Sequence, residues 1–179
     1  MRKALVFLGI LNDSDLDWMV ATGTRREVPR GHVLIEEGKP IDSVYVVLDG
    51  ALSVSVRGAR NREVARLLSG EIVGEISFVD SRPPSATVQA LENSLVLAIA
   101  RASLQARLEN DPAFAARFYR ALAVLLADRM RSTLGALGYG TGPRAAEDSY
   151  AGEIDPDTLD QTSLAGARFD LLRRRLRTI

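Results

Sequence analysis

Gly70-Glu71-Ile72-Val73-Gly74-Glu75-Ile76-Ser77-Phe78-Val79-Asp80-Ser81-Arg82-Pro83-Pro84-Ser85-Ala86-Thr87 is the stretch on which the fold turns. β-rich sequence lies on both sides of it. Within it, Gly74 to Phe78 interrupts the β pattern, and Pro83-Pro84 breaks whatever forms. A short helical turn between two strands fits. Glycine lets a backbone approach a ligand closely, and the free N–H groups of a helix start favour an anion. The Glu75 carboxylate can accept hydrogen bonds from a hydroxylated partner such as a ribose, and Ser85 and Thr87 add hydroxyls nearby. These parts suit a small phosphorylated sugar. Taken alone they fit a purely structural turn better.

Working outward, residues 24–100 consist of short β-rich runs punctuated by glycine or Asn/Asp, the pattern of a sandwich or barrel. The expected strands are Arg25 to Val28, His32 to Glu36, Ser43 to Leu48, Ala51 to Arg57, Glu63 to Leu68, Thr87 to Leu91 and Ser94 to Ile99. In Ala51 to Arg57, Leu52, Val54 and Val56 share one face while Ser53, Ser55 and Arg57 share the other. Asp49-Gly50 and Gly58 to Asn61 carry hairpin-turn chemistry.

Both flanks read as helical. Leu5, Leu8 and Leu11 recur at near-helical spacing, and a second short helix capped by Asp13 or Ser14 carries Leu16, Met19 and Val20 before Gly23 closes it. Ser103 to Asn110 suits a short helix. Asp111 caps a longer one with Pro112 at its first position. Phe114, Phe118, Leu122, Leu125, Met130 and Leu134 follow with helical spacing, and Leu126 and Leu137 widen that stripe. Phe118, Leu122, Leu125 and Leu126 offer more apolar surface than one core face needs, which would suit either the core or a partner helix.

The chain therefore divides into a domain over 1–138, a flexible acidic linker over 139–162 and a basic amphipathic helix over 163–179. The linker holds Gly140, Gly142, Pro143, Gly152 and Pro156 with six acids against Arg144. In the terminal helix Phe169, Leu172, Leu176 and Ile179 make a stripe crowded by Arg168, Arg173, Arg174, Arg175 and Arg177. That arginine cluster reads three ways: as a solvated face, as a dock for the acidic linker, its own or a neighbour's, or as a basic amphipathic contact for membrane, nucleic acid or a partner. Folded over the 70–87 stretch, it would act as a lid.

Lysine plus arginine and aspartate plus glutamate number 23 each, so no global field favours nucleic acid or an anionic membrane. There is no cysteine, which excludes disulfides and thiolate chemistry. Arg2 and Lys3 precede an apolar run from Ala4 to Leu11, but no small-x-small cleavage site follows and the run is too short to span a bilayer. A packed N-terminal helix and cytoplasmic residence are expected. The single histidine, His32, lacks the partners that catalysis or metal binding would need. Gly138 to Gly142 follows a helix rather than a strand and is no dinucleotide fingerprint. No nucleophile–base pair or metal-ligand cluster is legible, so neither enzyme activity nor a metal is expected.

The order of Gly31, Gly38, Gly50 and Gly70, the cassette of Gly74-Glu75 with Pro83-Pro84-Ser85-Ala86-Thr87, and the helix from Asp111 together resemble the cyclic-nucleotide-binding domain of the catabolite-activator and protein-kinase-A regulatory type. The resemblance covers about residues 5–135. It implies a mainly β fold with flanking α, a jelly-roll-like β-roll of about eight strands with N-terminal helices and a long C-terminal helix. By position it implies that Gly74 and the amides of Glu75 and Ile76 face a cyclic phosphate, with Ser77 behind them. The Glu75 carboxylate would take the ribose 2′-hydroxyl, and Ser85 and Thr87, with Ala86 between them, match the small positions that follow the family's arginine. The sequence departs from the family pattern at Pro84, which stands where the phosphate-binding arginine is expected. Proline has neither a side-chain donor nor an N–H. A lost charge-assisted bond is worth about 1.5–3 kcal/mol. On a strand, Arg82 would point to the same side as Pro84 and could supply a guanidinium.

Two readings follow. In the first, the chain is a non-catalytic sensor of cyclic AMP, cyclic GMP or a related phosphate ligand that signals to a protein partner through helix movement. In the second, the domain has lost nucleotide binding and serves as a dimerising or docking module, a role Pro84 favours. The resemblance implies a homodimer through the long helix. Residues 139–179, rich in glycine, proline and acid, do not resemble a DNA-binding domain, and neither DNA nor membrane is an expected partner.

Overall fold

The computed structural model describes residues 7–59, 62–136 and 166–175. Residues 7–10 are helical and lead into α1 (Asp13–Thr22). Strands β1 (Thr24–Val28), β2 (Val33–Ile35), β3 (Ser43–Asp49), β4 (Ala51–Val56), β5 (Arg62–Leu68) and β6 (Ile72–Val73) follow. Helix α2 (Glu75–Asp80) interrupts them before β7 (Thr87–Ala90) and β8 (Ser94–Ala100), and α3 (Arg101–Asn110) and α4 (Pro112–Ala136) complete this part. A further helical stretch spans 166–175. The expected acidic linker at 139–162 lies outside the described residues.

The strands form two four-stranded antiparallel sheets, β1-β8-β3-β6 and β2-β7-β4-β5. This is the expected β-roll. Between the sheets lie Val28, Ile35, Tyr45, Val47, Leu52, Leu67, Val73, Val88, Ala90, Val96 and Ala98. The first sheet is also covered on its other face. There Val44, Val46, Leu48, Leu97 and Ile99 pack against residues of the helices, among them Leu16, Met19, Phe114, Phe118, Leu122 and Leu125. A strand buried on both faces needs an unbroken apolar run. That is why Ser43 to Leu48 and Ser94 to Ile99 do not alternate as Ala51 to Val56 does.

Helix ends follow local hydrogen-bonding chemistry. Asp111 caps α4 by accepting from the Phe114 amide at 2.9 Å. The cap of α1 is Asn12, one residue before the expected Asp13 or Ser14. Its side chain accepts from the Asp15 amide at 2.9 Å, and the Asp15 carboxylate accepts from the Asn12 amide at 3.0 Å, closing a capping box. Gly23 ends α1 as expected, but through close packing rather than a left-handed turn. Its φ is −76°, and a Cβ there would lie 2.5 Å from Leu97 Cδ1 and 2.7 Å from the Met19 carbonyl oxygen.

The stretch 166–175 lies against the N-terminal helices. Phe169 and Leu172 join the helix-side core. Arg168 donates to the Gly9 and Leu11 carbonyls at 3.1 and 2.7 Å and pairs with Asp13 at 2.7 Å. Arg175 pairs with Asp17, and Arg173 pairs with Asp49 at 3.3 Å. These contacts of Arg168, Arg173 and Arg175 go to α1, its approach and the β3–β4 turn rather than to the 70–87 segment over which a lid would lie.

Candidate functional site

The site begins at Gly74, which caps α2 with φ 88° and ψ 0°. A Cβ here would come within 2.9 Å of Ile41 Cδ1 and 3.1 Å of the Ser43 carbonyl, so glycine is required on both conformational and steric grounds. The Phe78 amide donates to the Gly74 carbonyl at 3.1 Å, and the Ser81 amide donates to Ser77 at 3.1 Å with Ser81 itself at φ 58°. Helix α2 is thus one tight helical element between two left-handed residues. Its first amides, those of Glu75 and Ile76, lie at the start of the helix, where backbone N–H groups lack intrahelical partners.

Glu75 is only 1% exposed. Its carboxylate faces Arg129 of α4, which pairs with it and donates from its second terminal nitrogen to the Ile72 carbonyl at 2.6 Å. Burial pushes the Glu75 carboxyl above its ordinary range, the neighbouring Arg129 charge only partly opposing that push. A carboxyl with a raised folded-state pKa binds its proton more tightly folded than unfolded. Its contribution to stability is present in acid and lost as pH rises from about 4.3 through the raised value. Glu75→Gln is therefore expected to flatten that part of the stability profile, checked by urea denaturation at a series of pH values. An unchanged slope would remove Glu75 as its source.

Ser77 is also buried, and its carbonyl accepts from Arg101 at 2.7 Å. Ile76 is half-exposed. Arg82 is exposed, and its amide donates to Asp80 at 3.0 Å. Residues 81–84 carry no strand pairing, because β7 begins at Thr87. The alternation expected to place Arg82 beside Pro84 does not operate there. The Pro84 carbonyl accepts from the Gly38 amide at 2.8 Å, and Thr87 Oγ1 accepts from the Glu37 amide at 3.1 Å. The Glu37 carboxylate accepts in turn from the Arg57 amide at 2.8 Å. Ser85 is exposed, and Ala86 and Thr87 are half-buried. The loop after β2 and the start of β7 are thus tied together beside the cassette.

Sequence reasoning missed Arg129. Its signal was present: residue 129 continues the buried spacing of Phe118, Leu122 and Leu125, and an arginine on a core stripe calls for a buried acid. Phe118, Leu122 and Leu125 are themselves buried within the chain. The large apolar residues exposed on α4, among the described residues, are Tyr119, Val124, Met130 and Leu134. No group of three or more His, Cys, Asp or Glu side chains able to hold a metal occurs among the described residues. None of the described helices is long and apolar enough to cross a membrane.

A Gly-Glu helix start is thus set into an antiparallel roll and joined to a long helix through Glu75 and Arg129. Residues 25–111 match the family described as the cyclic nucleotide-binding domain, and the chain belongs to that family. Its members are generally regulators rather than catalysts. The N-terminal domain of a transcriptional regulator from Streptomyces coelicolor is 32% identical, with a TM-score of 0.56, covering 70% of this chain and 86% of that one. A cyclic nucleotide-binding domain from Methylobacillus flagellatus shares the fold with a TM-score of 0.69 at 22% identity, covering 79% of this chain and 85% of that one. An uncharacterized NTE family protein of Mycobacterium tuberculosis is 31% identical over 120 residues, 66% of this chain. The chain spans only 20% of that relative's length.

Proposed function

We propose that this chain is a non-catalytic sensor that takes a cyclic nucleotide, cyclic AMP or cyclic GMP, at residues 74–87 and passes its occupancy to α4. The observation that carries the reading is the Glu75–Arg129 pair, which couples the cassette directly to the long helix. A ribose hydroxyl reaching Glu75 competes with Arg129 for the same carboxylate, so ligand and helix contact are linked by differential affinity. Gly74, Glu75, Ile76 and Ser77 form the sugar and phosphate side, with Pro84, Ser85, Ala86 and Thr87 opposite and Arg82 nearby. Homodimerisation through α4 would use the exposed Tyr119, Met130 and Leu134 rather than the buried Phe118 stripe, with Met130 63% exposed. The acidic 139–162 segment serves as a connector, a protein partner receives the signal, and the setting is cytoplasmic.

Pro84 favours a second reading, a domain that docks partners without nucleotide, since it supplies no donor to a phosphate. Calorimetric titration with cyclic AMP and then cyclic GMP separates the two. The sensor reading expects binding near micromolar, about −8 kcal/mol, abolished in Glu75→Ala. No heat at millimolar ligand, with no thermal shift, leaves the docking module.

A further inference from the structure

Helix α1 carries three aspartates two residues apart, and they do not share a partner. Asp15, fully buried, takes a bidentate pair from Arg117 of α4 at 2.7 and 2.8 Å. Asp13 and Asp17 on either side hold Arg168 and Arg175 of the 166–175 stretch. Arg168 also grips the Leu11 carbonyl, next to the Asn12 cap of the same helix. The other end of the α4 segment, twelve residues and about 18 Å further on, holds Glu75 through Arg129. Residues 137–165 separate α4 from 166–175 in sequence, yet both are fastened to one short helix.

From this we infer that the docked 166–175 helix is the output element of the cassette, read out through α4 and α1. Displacement of Arg129 from Glu75 shifts α4. Because Arg117 clamps Asp15, the shift is delivered to α1, and α1 presents Asp13, Asp17 and the Leu11 carbonyl to the terminal helix. Each joint is a discrete ion pair that is either made or broken, so together they form a contiguous chain of polar contacts from the cassette to the terminal helix. The inference rests on the sensor reading for its trigger, but the ion-pair chain is independent of any ligand. Coupling is also reciprocal, so loosening 166–175 must alter affinity at the cassette by the same factor.

Hydrogen exchange read by mass spectrometry on the full chain tests this. Arg129→Gln is expected to speed exchange in 166–175 by about tenfold, within the usual span of allosteric coupling, as well as locally around α2. The Glu75→Gln/Arg129→Gln double variant leaves no buried charge unpaired, so its effect at 166–175 reports coupling rather than misfolding. Faster exchange at 166–175 in both variants supports the inference. A local change at 72–80 with none at 166–175 in either variant overturns it. Cyclic AMP forms the second arm. Ligand-induced change at both 70–87 and 166–175 supports the inference and the sensor reading together. Change at 70–87 alone overturns the inference and keeps the sensor. If neither cyclic AMP nor, in a parallel run, cyclic GMP changes anything while both variants still move 166–175, the sensor reading fails and the coupling stands.

Discussion

Arg117→Met is expected to lower the unfolding free energy by about 3–5 kcal/mol, because it leaves a buried carboxylate without its counter-charge. Asp15 is 0% exposed, and the lost guanidinium supplies two of its hydrogen bonds. Its pH signature is specific. Burial pushes the Asp15 carboxyl up, but the Arg117 hydrogen bond, the Asn12 amide and the charges of Arg117 and Arg107 outweigh it, and the net shift is downward. A depressed folded-state pKa contributes stability that is complete above about 3.9 and is lost as pH falls through the depressed value. Without Arg117 two of the downward influences are gone while burial, the Asn12 amide and the Arg107 charge remain, so the depression shrinks and with it the stability that acid removes. The variant should therefore lose less stability at acid pH than at neutral pH relative to wild type. Asp15→Asn combined with Arg117→Met should cost less than Arg117→Met alone, and the double-mutant cycle gives the coupling. Urea midpoints at the two pH values decide the matter, and a neutral-pH midpoint close to wild type would mean that the pair does not support the fold.

Phe118→Ala should cost a comparable amount, about 3–5 kcal/mol for a buried phenylalanine. The ring is the hub of an aromatic cluster. Its centroid lies 5.7 Å from Phe7, 5.6 Å from Phe114 and 6.1 Å from Phe78, and the Phe7 and Phe78 contacts are edge-to-face. Phe78 belongs to α2, and Arg101 stacks over it at 5.5 Å while holding the Ser77 carbonyl. The loss should therefore be felt twice: as a lower denaturation midpoint, and as faster amide exchange across residues 75–80. Phe118→Leu, which keeps most of the volume, should recover much of both. A cost below about 1 kcal/mol would mean that the site collapses around the void, contrary to the usual behaviour of packed cores.

The roll was legible because its determinants are local. Gly31, Gly38, Gly50, Gly70 and Gly74 all adopt positive φ and punctuate the strands where turns are needed. At Gly50 a Cβ would also fall 2.3 Å from Ser94 Oγ, which no side chain tolerates. Asp111-Pro112 announced α4 for equally local reasons. Errors arose where two chemistries compete for the same residues. Asn12, Asp13 and Ser14 are all competent caps, and Asp15, at the third helical position, decided for Asn12 by bonding back to its amide. Strand β6 has two residues, too few for any period to show.

The cassette's position was legible and its electrostatics were not. Nothing near Glu75 in sequence names its partner, because Arg129 arrives from the next-but-one helix. The Phe169–Leu172 stripe likewise announced a helix with a buried face. Its dock depends on where α1 ends up after the whole core has assembled.

The first sheet is buried on both faces, and this sets the true boundary of the domain. The segment matching the family runs from 25 to 111. Much of the cover on one face of that sheet comes from beyond those limits, from Leu8, Leu11, Leu16 and Met19 before and from Phe114, Phe118, Leu122 and Leu172 after, with Leu104 and Leu108 of α3 lying inside them. A fragment cut at the family limits would turn Val44, Val46, Leu48, Leu97 and Ile99 out to water on adjacent strands, forming a sticky plate rather than a domain. Transplanting this domain into another protein therefore requires its helices as part of the graft.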